Sequence, residues 1–165
     1  MNDKTTPEKQ ETKVQYLTFL LDDEIFALEI SKVREVLEMG KLTHIPRTPD
    51  YMRGVTNLRG NVVPVVDLKL KLDLERTEKT VDTSIILTEL TIDDQELVVG
   101  VLADSVKEVL DINDEDVEPP PRIGAIIDTG YIKGMGKKDD QFIIILNIEL
   151  VFSGTDLALV QEIAE

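Results

Sequence analysis

A chain of 165 residues, 42 % of them hydrophobic, can bury a core without staples, and with no cysteine it has neither a disulfide nor a thiolate metal site. Its formal charge of −15 repels phosphate backbones and anionic lipid headgroups, which argues against nucleic acid as a partner. No apolar run approaches the roughly 18 residues of a membrane span, and residues 1–13 lack the apolar segment of a signal peptide, so a disordered tail on a cytoplasmic protein is expected.

Tyr16–Leu21 and Ile25–Ile30 are short apolar runs flanking the acidic turn Asp22-Asp23-Glu24, which predicts a hairpin. Val33–Glu38 fits a helix face or a strand, and is read here as a turn leading into a strand. Thr48-Pro49-Asp50 has the form of a helix start, with Thr as N-cap and Pro at the first position, and Gly54 would stop that short helix after one turn. Val62–Leu68 is a strand whose Pro64 cannot donate to a ladder, so it should lie at an edge or carry a bulge.

A charged linker is expected over 71–82. A second hairpin follows, Ser84–Ile92 and Leu97–Leu102 around Asp93-Asp94-Gln95-Glu96, and then the apolar strand Phe142–Ile148. Residues 151–165 read as a closing helix, capped by Ser153 or Thr155, with Leu157, Val160 and Ala164 on one face.

Laid against each other, the two halves repeat. Ile30-Ser-Lys-Val-Arg-Glu-Val-Leu-Glu38 aligns with Ala103-Asp-Ser-Val-Lys-Glu-Val-Leu-Asp111, Tyr51-Met-Arg-Gly54 with Tyr131-Ile-Lys-Gly134, and each copy ends in an apolar run. Three blocks in one order make a duplication the economical account. A mainly β fold of two small barrels is therefore expected, the first over 14–70 and the second over 83–150. Charge divides unevenly between the copies: −1 over 14–70 against −10 over 83–150. The tips diverge as well, Thr56-Asn-Leu-Arg-Gly60 against Gly136-Lys-Lys-Asp-Asp140.

Residues that could carry catalysis are sparse. His44 is the only histidine, and no Walker loop, nucleophile elbow or HExxH helix is present. Asp111–Asp116 begins like a calcium loop, but Asp116 stands where the turn needs glycine and Arg122 where the bidentate glutamate belongs. The glycines of Gly130–Gly136 are read as serving turns rather than phosphate. No cofactor and no enzymatic activity are expected.

Thr48-Pro-Asp-Tyr-Met-Arg-Gly-Val-Thr-Asn-Leu-Arg-Gly-Asn-Val-Val-Pro-Val-Val-Asp-Leu68, with Val33-Arg-Glu-Val36 before it and Leu146-Asn-Ile-Glu149 after it, resembles the signature of the CheW-family adaptors of bacterial chemotaxis. The resemblance runs from about Val14 to Val151 and implies two five-stranded SH3-like barrels with a closing helix. It also implies an adaptor that bridges a CheA-type histidine kinase to the cytoplasmic tips of chemoreceptors, pairing barrel end to barrel end.

Carried over by position, Asn57 and Arg59 fall in the family's NLRG motif, and Arg59 is tied to receptor and kinase coupling. Val33, Glu35 and Val36 fall on the receptor block, Val106 and Val109 on second-barrel positions lining a groove between barrels, and Arg53 and Gly54 near a kinase contact. Two other readings compete. One is a CheW-like regulatory domain cut from a larger kinase or receiver fusion, against which the polar N-terminus and compact ending are weighed. The other is a small-molecule binder, disfavoured by 4 % aromatic content.

Overall fold

The computed structural model describes residues 13–92, 94–120 and 130–164. Residues 1–12 of the expected tail, Asp93 and Arg122 lie outside that range, whereas Lys13 already belongs to the first strand. Among the described residues ten strands carry the fold: β1 (Lys13–Leu21), β2 (Glu24–Glu29), β3 (Val33–Glu38), β4 (Met52–Leu58), β5 (Asn61–Val66), β6 (Ser84–Ile92), β7 (Gln95–Ala103), β8 (Ser105–Asn113), β9 (Ile132–Lys138) and β10 (Gln141–Leu146). Three helices follow strands or close the chain: α1 (Leu68–Lys71), α2 (Ile148–Val151) and α3 (Gly154–Ala164).

The strands form two five-stranded sheets, β8-β1-β2-β10-β9 and β3-β6-β7-β5-β4. The duplication maps β1 to β5 onto β6 to β10 in turn, and under that exchange one strand order becomes the other. Each sheet therefore takes its hairpin from one copy and three strands from the other. This corrects the expected division: the units are not 14–70 and 83–150, because β1 and β2 pair with β8 and β10, while β6 and β7 pair with β3 and β5. Two antiparallel hairpins thus enter the opposite sheets, each through a short parallel junction, Ile144 and Ile145 beside Phe26 and Ala27, and Val65 and Val66 beside Gly100 and Val101.

Three apolar clusters explain why the strand sequences are continuously apolar rather than alternating. Tyr16, Ala27, Ile112, Ile143 and Ile145 fill one sheet's concave side, and Val63, Val65, Ile85, Leu87 and Leu102 fill the other's. Between the sheets lies the largest cluster, which includes Phe19, Leu28, Val66, Ile86 and Val101. A strand such as β7 feeds both sides, Leu102 inward and Val101 toward the other sheet, so both faces are buried.

Local chemistry sets the connections. Asp22 and Asp23 take φ of 51° and 68°, the left-handed pair of a two-residue turn, and Glu24 already belongs to β2. Likewise β7 begins at Gln95, so the second turn is tighter than the sequence implied. A short 3-10 turn at Ile30–Lys32 delivers β3, as expected for Val33–Glu38. β5 is an interior strand, but its pairing with β7 begins only at Val65, which leaves Pro64 beside an open stretch.

The helix expected from Thr48 does not form. The Met52 amide donates to Pro49 O (2.9 Å) and the chain passes into β4; the short helices follow β5 and β10 instead. Asp67 starts α1 as its cap, accepting from the Leu70 amide, and its carboxylate is engaged elsewhere as well. α3 begins at Ser153, whose Oγ accepts from the Asp156 amide (3.1 Å) while Asp156 Oδ2 accepts from the Ser153 amide (2.9 Å), a reciprocal capping box. Val160 is buried against the central cluster, and the helix lies along β5.

Gly54 and Gly134 occupy strands, not turns or a helix end. A Cβ on Gly54, at φ 144°, would stand 2.6 Å from Thr43 O, and one on Gly134 would press into Val117 Cγ1 and stand 2.8 Å from Glu118 O. In both copies the preceding loop presses its backbone against this point through an isolated bridge, Thr43 to Val55 and Glu118 to Met135.

Candidate partner-binding site

β3 and β4 are the outer strands of their sheet, and an ion pair joins them. Arg59, at the β4–β5 tip, donates from Nη1 and Nη2 to Glu35 Oε1 and Oε2 on β3, at 3.2 and 3.1 Å. The pair spans the two outer edges at the point where strand pairing and the core beneath have already curled the sheet toward a barrel. Arg59 sits at φ 52° and Gly60 at φ 88°, the turn being closed by Asn57 Oδ1, which accepts the Gly60 amide (3.0 Å). Asn57 therefore aims the arginine. The Arg59 side chain is 69 % exposed, and Glu35 raises its pKa, first by hydrogen bonding and then by charge. A forked guanidinium held flat against a carboxylate at the surface is a preorganised polar handle.

Beside it opens a groove of about 580 Å³, lined among others by Arg34, Leu58, Arg59, Val62, Leu97 and Gln161. Val62 is 46 % exposed there, and Val36 on β3 40 %. The other sheet has a counterpart. Glu108 on β8 accepts from Lys138 on β9 at 3.3 Å, and the exposed Val109 and Phe142 occupy the repeat positions of Val36 and Val62. The pairing is conserved in kind but not in position, since Asp139, not Lys138, aligns with Arg59. Among the described residues only one end thus bears an arginine fork. The Lys138–Glu108 pair was missed in the sequence because its cation is displaced by one residue along the tip.

The other expected contact residues divide differently. Arg53 is not a surface group: its Nη1 donates to Asp67 Oδ2 (2.9 Å) and Thr77 O (2.8 Å), and Asp67 is wholly buried. Asp67 also accepts from Thr77 N (3.0 Å) and Thr77 Oγ1 (2.8 Å), so this node fastens the linker to α1 and β4. Gly54 serves the close approach described above. Val33 and Val106 pack against the central cluster.

A cleft of about 300 Å³ does open where the sheets meet, but it is lined by residues such as Leu28, Glu29, Lys32, Lys133, Leu146 and Glu149, and by none of the four valines. Its charges are paired across it, Lys32 with Glu149 and Lys133 with Glu29, at 3.3 and 3.2 Å.

Charge follows the sheets once the strand exchange is taken into account. Residues 30–70, which supply three strands of one sheet, carry seven Lys or Arg against four Asp or Glu. Residues 104–150, which supply three strands of the other, carry five against eleven. Among the described residues no three His, Asp or Glu side chains converge to hold a metal, and no helix is long and apolar enough to cross a membrane.

Two exchanged barrels with differently charged ends, and a rigid polar handle at one of them, define a binding scaffold rather than a reaction centre. Comparison with known proteins agrees. The chain belongs to the CheW family: the model of the CheW-like domain matches residues 15–156. The chemotaxis protein CheW of Klebsiella aerogenes is 32 % identical over 151 residues, 92 % of this chain and 89 % of that one. That of Helicobacter pylori is 32 % identical over 143 residues, covering 86 % and 83 %. The crystal structure of the scaffolding protein TtCheW from Thermoanaerobacter tengcongensis superposes with a TM-score of 0.74 at 35 % identity, over 86 % of this chain and 94 % of that one. The family makes non-catalytic scaffolding proteins of chemotaxis, and this chain is one of them.

Proposed function

We propose that this scaffold works in the cytoplasm, coupling chemoreceptors to a CheA-type histidine kinase, with Arg59, Glu35 and Asn57 forming the coupling contact. The observation that carries the reading is the bidentate Arg59–Glu35 pair: exposed, aimed by Asn57, and set beside a groove with the exposed Val62. It is an adhesive surface that folding does not need, because the pair is solvated and an exposed pair contributes little to stability. Val36 and Val109 add apolar area at the two barrel ends, which unlike charge makes non-interchangeable.

The test is a reconstituted assay of kinase, receptor fragments and this chain. Arg59→Glu is expected to leave the thermal transition unchanged and to abolish receptor-dependent control of the kinase. Glu35→Arg combined with Arg59→Glu, which restores the pair with its polarity reversed, should refold the same surface but not rescue control. If Arg59→Glu alone still supports full control, Arg59 is not part of the contact.

A further inference from the structure

Each sheet has a weak seam. β5 pairs with β7 only at Val65–Gly100 and Val66–Val101, so the β4–β5 hairpin, which carries Arg59 at its tip, joins the strand beside it by two residue pairs. Beyond them residues 61–64 have a strand on one side only, and the splay between residues 61–63 and residues 95–98 forms the groove beside Arg59. The β9–β10 hairpin of the other sheet is joined in the same way, at Ile144–Phe26 and Ile145–Ala27. A two-stranded hairpin without further packing is only marginally stable.

The closing helix treats the two seams differently. α3 packs along β5, and among the described residues no helix packs along β10 to the same extent. The duplication does not supply this helix, because at the corresponding place the first copy runs into the linker, which is not helical. The first turn of α3 is tied to both ends of the β4–β5 hairpin through Asp156. Its carboxylate accepts from the Tyr51 hydroxyl, immediately before β4, and from Lys71 Nζ, at the end of the helix that follows β5. Val160 seals the helix into the central cluster at 1 % exposure. The next residue, Gln161, lines the groove, and its Nε2 donates to Gln95 Oε1 at the start of β7 (3.1 Å). The helix thus bridges from β5 to the strand that β5 has parted from.

We infer that α3 is a strap across this seam, and that Gln161 is a positioning residue that steadies the β4–β5 tip and with it the direction of Arg59. Its effect on signalling rests on the coupling role proposed above. The strand pairing that would ordinarily hold the tip is missing over residues 61–64 on the β7 side, and the strap replaces it. The one helix that lies outside the repeat is placed against the barrel that bears the arginine fork.

The experiment compares wild type, Gln161→Ala and the double variant Gln95→Lys with Gln161→Glu, which rebuilds the bridge as an ion pair, by hydrogen exchange, thermal melts and the reconstituted kinase assay. In the wild type the amides of the strapped tip, residues 57–63, should exchange more slowly than those of the other tip, residues 137–143, after correction for intrinsic rates. Gln161→Ala should speed exchange at 57–63 about threefold, on the scale of one side-chain hydrogen bond, and leave 137–143 and the melting temperature unchanged. The concentration of this chain needed for half-maximal receptor control of the kinase should rise by a similar factor, and the double variant should restore both readings. A wild-type strapped tip that exchanges as fast as the other, unchanged exchange at 57–63 in Gln161→Ala, or an equal rise at both tips overturns the inference. Faster exchange at 57–63 with kinase control unchanged leaves the strap standing and overturns the coupling role of Arg59.

Discussion

Replacing Arg53 by Ala separates a structural arginine from a contact arginine. The Arg53 side chain is 10 % exposed and its partner Asp67 0 %, so the substitution leaves a buried carboxylate without its countercharge. Removing one member of a buried pair costs about 3–5 kcal/mol. Asp67 keeps three donors, Thr77 N (3.0 Å), Thr77 Oγ1 (2.8 Å) and Leu70 N (3.4 Å), which places the loss toward the lower end. About 3 kcal/mol then lowers the melting temperature of a chain this size by about 6–12 °C. Circular dichroism melts, with kinase binding measured well below the transition, decide the matter. The expected outcome is a destabilised protein that still binds. An unchanged melting temperature with binding lost would refute the burial argument and return Arg53 to the contact surface.

Gly54→Ala should destabilise by about 3 kcal/mol, because strain at φ 144° adds to the contact 2.6 Å from Thr43 O, whereas Gly40→Ala, with no atom within 4 Å, should be nearly neutral; thermal melts compare them. At Asp156, burial alone would raise the carboxyl, but hydrogen bonds from Lys71 and Tyr51 and from the Ser153 amide outweigh it and hold it below the usual carboxylate range. Burial first, and then Asp156, push the Tyr51 hydroxyl above its ordinary range. A depressed acid stabilises the fold above its unfolded value and loses that contribution as pH falls through the folded one. Hydrogen exchange should therefore show α3 protected at neutral pH and loosened below about pH 4, an effect that Asp156→Asn removes. Fragments 1–82 and 83–165 should each fail to fold alone and regain native circular dichroism when mixed, because each sheet needs a hairpin from the other fragment; a fragment that folds alone would contradict the strand exchange.

Much of this protein was legible before its fold was known. Both hairpins, the strand at Val33–Glu38 and the capped closing helix follow from local rules, namely turn chemistry, β-branched runs and cap residues, while the duplication comes from laying the two halves against each other and Arg59 is singled out by the family resemblance. These rules act within a few residues of chain, so a sequence displays them directly. One local rule misled: Thr48-Pro49-Asp50 has a helix start's residues, but the strand that follows claims Met52 onward and leaves no room for a helical turn.

What only the tertiary structure decided is which strands meet. Nothing in the periodicity of β1 or β6 says whether its hairpin returns to its own copy or crosses to the other, since both partners offer the same apolar edge. The exchange in turn fixes which side chains are close. Arg53 and Arg59 lie six residues apart in one hairpin and look alike in sequence. One turns inward onto Asp67 and is sealed by a linker threonine ten residues beyond that aspartate; the other reaches Glu35 across the mouth of its barrel. Burial and charge pairing depend on distances between segments remote in sequence, and those distances exist only once the sheets have closed.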